Sequence, residues 1–161
     1  MQTSSIVQPP SLDSEKGGEL VEDKSSLAEM ILEQIADAII YADDAGTVMR
    51  WNHAAAELFG YSAAEALGQK LDLIIPEHLR TGHWHGFEAA MTNGVVKLNG
   101  RPTLTRAVHQ TGRKLYVEMT FALVKGEAGA ALAHGAVAVA RDVTERVEQQ
   151  RASGRPRSPG V

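Results

Sequence analysis

The sequence predicts an α+β domain, an antiparallel sheet with short helices gathered on one face, and three observations predict it. Two β-favouring runs near the start are joined by the turn Asp43-Asp44-Ala45-Gly46. A middle third follows that breaks into short, capped helical segments. The last third returns to β-favouring runs, one of which places Leu115, Val117, Met119, Phe121 and Leu123 at successive odd positions. A strand has a side-chain period of two, so that run has one wholly apolar face. Strands, then helices, then strands, without regular alternation, is the pattern of an antiparallel sheet covered on one side.

In chain order, Ser26-x-x-Glu29 is a capping box, and Leu27, Met30, Ile31 and Ile35 recur at helical spacing, so an amphipathic helix opens the domain. Ala38 to Ala42 reads as a buried strand and Thr47 to Trp51 as its hairpin partner. Asn52 caps a helix through Phe59 that Gly60 stops, and Ser62-x-x-Glu65 caps another that Gly68 ends. Leu71 to Ile75 is a short apolar stretch; Pro76 then suits the first turn of a longer helix that runs toward Met91 and closes at Thr92-Asn93-Gly94. β-favouring stretches follow from Val95 to Val108, Arg113 to Val124 and His134 to Ala140, with a turn at His109-Gln110-Thr111-Gly112 and a loop from Lys125 to Ala133. Asp142-x-x-Glu145 is expected to cap a last helix through Gln150.

With 161 residues and 43% hydrophobic side chains, the chain has room for one domain with a real core. That domain is expected over residues 25–150. Residues 1–24 and 151–161 are rich in Ser, Pro, Gly and charge and are expected to be disordered tails. A net charge of −4, with no clustering of basic residues except in the last few positions, argues against nucleic acid and anionic lipid as partners, and the three arginines there are read as part of a solvated tail. The sequence has neither an apolar run of membrane-spanning length nor a secretory leader pattern, so a soluble cytoplasmic protein is expected. Cysteine is absent, which excludes disulfides, thiolate metal sites, a thiol nucleophile and any cofactor attached through sulfur. There is no phosphate-binding glycine loop and no nucleophile elbow, and no titratable partner for His83 can be placed by spacing, so an enzyme is not expected.

Three motifs in this order and spacing resemble those of the PAS sensory fold: Asp37-Ala38-Ile39-Ile40 with Asp44-x-Gly46, Trp51-Asn52-x-Ala54-Ala55 with Leu58-Phe59-Gly60-Tyr61, and Arg141-Asp142-Val143-Thr144-Glu145-Arg146. The resemblance covers about residues 25–150. It implies a five-stranded antiparallel sheet whose concave side and helices enclose a pocket, flanking helices that carry the signal and often dimerise, and an Asp-Val-Thr element that couples the sheet to an output helix. Such domains are signal sensors. The missing cysteine removes the members that form a flavin adduct and those with a thioester-linked chromophore. Haem, non-covalent flavin, a small metabolite, or a pocket empty of any cofactor and used for protein contact remain.

The one constellation with cofactor chemistry is Arg80-Thr81-Gly82-His83-Trp84-His85-Gly86-Phe87. On a helix, Leu79, His83, Phe87, Ala90 and Met91 share one face, while His85 lies about 200° from His83 on the side of His78 and Glu88. The two imidazoles of His83-x-His85 diverge, which argues against a shared zinc ion. Gly82 and Gly86 remove side-chain bulk beside His83. The segment also resembles the haem-containing PAS oxygen sensors, which hold iron through a histidine on this helix; His83, seven residues after Pro76, matches that position. By the same resemblance Arg101 faces bound oxygen, and Met119 and Phe121 match apolar positions opposite. The sequence departs from that pattern where propionates are usually contacted: Ala89, Ala90 and Val95 stand there, leaving Lys97 or Arg106 for that role. The expected site is thus a pocket lined by His83, Phe87, Arg101, Met119 and Phe121, with haem b ligated by His83, or with a metabolite, a flavin or no cofactor in its place. The expected assembly is a homodimer through the first helix, with the output supplied by a separate protein or by a part of a longer chain. Asp43 and Asp44 are read as turn formers, Trp51 and Phe59 as core, and Met119 as a gap-filling core residue rather than a second iron ligand.

Overall fold

The computed structural model describes residues 26–97, 100–126 and 133–154. The tail 1–24, the tail beyond residue 154 and most of the Lys125–Ala133 loop lie outside the described residues. Two units are distinguished, Met1–Leu32 and Glu33–Val161. Helix α1 spans residues 26–34, and the expected stripe of Leu27, Met30 and Ile31 on it, with Ile35 just past its end, is 41–55% exposed.

The second unit is built on five strands: β1 (Ala38–Asp43), β2 (Val48–Trp51), β3 (Thr103–Val108), β4 (Lys114–Lys125) and β5 (Ala133–Asp142). Their order across the sheet is β2-β1-β5-β4-β3, and every pairing is antiparallel. The last strand in sequence is therefore the central one. Register aligns inward-facing residues in rows: Ala38–Ala140–Met119, Ile40–Ala138–Phe121 and Ala42–Ala136–Leu123. The odd-position run of β4 is the inward face, as its period demands.

Helices α2 (His53–Phe59), α3 (Ala63–Ala66) and α4 (Glu77–Asn93), with a 3-10 turn at Leu71–Leu73, connect β2 to β3. Ala55, Phe59, Ala66 and Ile74 join Ile40, Val48, Trp51, Leu115 and Val117 in one buried cluster. Trp51 and Phe59 meet there at 5.4 Å between ring centroids. Gly60 ends α2 at φ 82°, a left-handed conformation glycine adopts without steric cost, and the His109 ring lies so close that a Cβ would meet it. Ser62 and Glu65 form the reciprocal capping box. Asp43 Oδ1 accepts from the N–H groups of Ala45 and Thr47, which makes it the turn former its position suggests.

Two boundaries differ from the sequence expectation. The stretch from Val95 becomes a strand only at Thr103, because the left-handed Gly94 ends α4, Gly100 also takes a positive φ, and Pro102 has no N–H for a ladder. Helix α5 (Thr144–Ala152) begins after Val143, so Asp142 is one residue early for a cap. Its Oδ1 instead accepts from the N–H of Thr144 at 2.8 Å, and Thr144 Oγ1 accepts from the N–H of Tyr116 at 3.0 Å, fastening the helix start to β4. α5 also runs two residues past Gln150. Its Arg146 bonds Glu118 at 3.1 Å, and its Arg151 guanidinium lies 4.7 Å from the Tyr116 ring centroid.

Asn52 joins the sheet to the helical layer. Its side chain accepts from Ile39 N–H at 2.8 Å and from Ala55 N–H at 3.0 Å, and donates to the carbonyl of Asp37 at 3.0 Å. It is 2% exposed. Asn52→Ala removes the cap of α2 and strands a buried donor of β1, so urea unfolding should show a loss of about 2–4 kcal/mol. A loss below about 1 kcal/mol would mean that water replaces the amide without penalty.

Candidate functional site

Helix α4 carries the residues that the sequence singles out. Pro76 precedes it and Gly94 closes it. Leu79, His83, Phe87, Ala90 and Met91 are half-buried, whereas His78, His85 and Glu88 are exposed. The apolar stripe and the divergence of the two imidazoles are thus as the helical spacing predicts. α4 lies against the central strand β5, yet none of its residues is buried. The facing sheet shows a matching gradient. The row Ala38–Ala140–Met119 is buried, while in the next two rows Ile40 and Ala42 are buried but Ala138, Phe121, Ala136 and Leu123 are half-buried. The helix covers that end of the sheet without closing on it.

His83 is held by aromatic rings. Phe87 stacks on it at 6.0 Å and 27°, and Trp84 meets it edge-on at 5.1 Å and 80°. Its Nδ1 is buried and, among the described residues, has no hydrogen-bond partner. A buried imidazole without an acceptor holds a proton poorly, and burial pushes the His83 pKa down, opposed by the negative charge of Asp72. The ring is therefore a neutral base with an unused buried nitrogen, which is the protonation state that iron or a ligand donor requires.

The other expected site residues divide. His83 and Phe87 stand together on α4. Met119 and Phe121 share the inward face of β4, where Met119, 7% exposed, belongs to the buried cluster and Phe121 packs against it. Among the described residues no ring contact joins Phe121 to His83 or Phe87. Arg101 is exposed before β3, and among the described residues it has no hydrogen bond or ion pair. Lys97 and Arg106 are exposed too. A Cβ at Gly82 or Gly86 would meet nothing within 4 Å, so these glycines border open space. A separate open cleft of about 600 Å³ between Arg113 and Asp142–Glu148 shares none of these residues.

Sequence reasoning missed two participants, Trp84 and Asp72. The Trp84 indole N–H donates to Asp72 Oδ1 at 2.8 Å, across twelve positions that no local spacing rule connects. Arg80 closes the same turn, donating to the carbonyls of Ile75 at 3.2 Å and Asp72 at 3.0 Å. Only the neighbouring aromatic positions 84 and 87 offered a signal, and they read equally well as core. The ion pair of Asp37 with Arg141, at 2.6 and 2.8 Å, was likewise hidden.

A family model described as the PAS fold matches residues 27–143. The chain is similar to the sensor protein FixL of Bradyrhizobium diazoefficiens, 42% identical over 53 residues, or 33% of this chain and 10% of that protein. It is also similar to the oxygen sensor protein DosP of Escherichia coli, 27% identical over 96 residues, or 60% of this chain and 12% of that protein. Among solved structures, an RNA-binding light-oxygen-voltage receptor superposes with a TM-score of 0.61 at 25% identity, covering 92% of this chain and 41% of that one. The chain spans about a sixth or less of the length of the curated relatives it matches. A match over residues 27–143, on a five-stranded antiparallel sheet with several short helices, establishes that this chain belongs to the PAS family.

Proposed function

We propose that this PAS sensory domain holds haem b through His83 and senses oxygen, another gas or a redox state, without catalysing a reaction itself. One observation carries the reading: on the loosely covered face of α4, His83 presents a buried nitrogen with no partner. The likeness to an oxygen sensor protein supports it. Haem, when bound there, supplies an iron centre that takes up a diatomic gas or changes oxidation state. His83 would give the iron a neutral nitrogen, Phe87, Met119 and Phe121 would exclude water with apolar surface, Arg101 would be the cation for a polarised gas ligand, and Lys97 or Arg106 would be left for a propionate. A non-covalent flavin is the second reading, supported by the likeness to a light-oxygen-voltage receptor. The third is a haem-free module that binds a metabolite or a protein.

Among the described residues no helix is long and apolar enough to cross a membrane. That supports a cytoplasmic placement. The signal would leave through α5 to an output elsewhere in a longer chain or in a separate protein. The exposed stripe of α1 supports a homodimer, in which two copies of Leu27, Met30, Ile31 and Ile35 cover one another. Ile31→Glu places a charge in that contact and should shift sedimentation toward the monomer. An unchanged mass for the folded variant would exclude α1 as the interface.

Reconstitution with haem tests the main reading. The wild-type protein should give a Soret band that His83→Ala abolishes and His85→Ala leaves nearly intact, and Arg101→Ala should retain haem. Equal uptake without His83 would overturn the assignment. A flavin spectrum in protein purified from cells, with no haem uptake, would establish the second reading.

The pH dependence of the unliganded protein is a separate check. His83 titrates below its ordinary value of 6.5 in the folded state, so the unfolded chain binds the proton first. Its contribution to stability is intact above 6.5 and is lost as the pH falls through that value. Asp37 and Glu65, both lowered below their ordinary 3.8 and 4.5 by hydrogen bonds from Arg141 and Ser62, lose their contributions only in more acidic solution. Thermal midpoints should fall between about pH 7 and pH 5 in the wild type and fall less steeply in His83→Phe. Parallel profiles would show that His83 protonates freely.

A further inference from the structure

Trp84 is fixed at three points on three separate parts of the fold. Its Nε1 donates to Asp72 Oδ1 at 2.8 Å, beside the Arg80 guanidinium at 3.8 Å. Its six-membered ring lies against the β1–β2 turn, where a Cβ on Gly46 would come within 2.3 Å of Cη2 and Cζ3. Its edge meets His83, and Phe87 meets both rings, Trp84 edge-on at 5.6 Å and His83 in a stack. A histidine that ligates a metal usually has its ring direction set by a hydrogen bond from its second nitrogen to a carbonyl or carboxylate. Among the described residues His83 has no hydrogen bond, and the carboxylate nearby is engaged by the indole instead. The direction of the imidazole is left to the rings that flank it. Of these, Phe87 has no polar group to anchor it, whereas the Trp84 indole is tied to Asp72 and seated on Gly46.

We propose that Trp84, clamped by Asp72 and seated on Gly46, is the positioning residue that fixes the His83 ring with its buried nitrogen free for a ligand. Asp72 takes part as the acceptor that holds the indole. The ligand named in the test, haem, rests on the reading given under Proposed function; the orientation of His83 does not.

Two measurements keep those claims apart. Histidine ring resonances of the haem-free, full chain report on His83 directly, with His78 and His85 as internal controls on the same helix. Trp84→Phe removes the N–H and the outer ring and should move the His83 resonances while leaving the two controls in place. Asp72→Ala removes the acceptor that holds the indole and should move the same His83 resonances at neutral pH. Gly46→Ala pushes the indole from the hairpin side and should displace the same His83 resonances from a position remote in sequence. Haem titration forms the second arm, in which Trp84→Phe should weaken uptake about tenfold, the low end of what supporting partners of a metal ligand contribute. Unmoved His83 resonances in folded Trp84→Phe and Gly46→Ala overturn the proposal, as do equal shifts at His78 and His85, which would indicate general loosening. If Trp84→Phe does not fold, Gly46→Ala and Asp72→Ala decide. Absence of haem uptake by the wild type overturns the haem reading alone and leaves the resonance arm to judge the positioning role.

Discussion

The chain changes from sheet to helical layer at Asn52, and a single side-chain amide manages the change. Its oxygen serves two backbone donors, Ile39 on β1 and Ala55 in the first turn of α2, and its nitrogen reaches the carbonyl of Asp37. An amide buried this fully must find its partners inside the protein, because an unmet donor or acceptor there costs more than the bond would contribute. The hairpin β1–β2 and helix α2 can therefore take only the mutual placement that satisfies all three. Everything downstream inherits it: α2 sets where Phe59 packs, and the segment after α3 runs back along β2 through bonds of Gln69 and Gly68 with Val48. The start of α4 follows from there.

Near the other end of the sheet the same economy fails, and that is where the candidate site lies. The row Ala38–Ala140–Met119 is buried, but α4 buries none of its own residues, and the central strand is half-buried from Ala136 to Val139. A protein interior normally packs to crystal-like density, and a helix that leaves its apolar stripe half-covered forgoes contact energy. In a sensor, that lack of closure has a use. A ligand that fills the space contributes the missing contacts, and the helix that receives them is tied to the hairpin through Trp84.

Elements whose signal is local were legible in the sequence. The capping box of Ser62, the turn at Asp43, the Asn52 cap and the odd-position run of β4 each depend on residues within a few positions of one another, where steric and hydrogen-bond rules act directly. The helical face that brings His83 and Phe87 together was legible for the same reason. Local β preference failed at Val95, where glycine and proline nearby outweighed it, and the central place of β5 follows from no local pattern at all. The Asp72–Trp84 bond and the Asp37–Arg141 pair join positions that become neighbours only after the chain has folded. Arg101 shows the converse. A position that matches a family pattern carries no geometry, and the structure places it on an exposed loop.

The pairing of Ala38 with Ala140 has a topological consequence. The first residue of β1 and the end of β5 are cross-strand neighbours, about 5 Å apart, and Asp37 and Arg141 are bonded across that gap. A polypeptide leaves this fold almost where it came in. Spliced into a longer chain, the domain would act as a bead on a loop that adds little to the distance between its flanking segments. The host could acquire, lose or duplicate it with small geometric disturbance, which suits a chain that matches about a sixth or less of its much longer relatives.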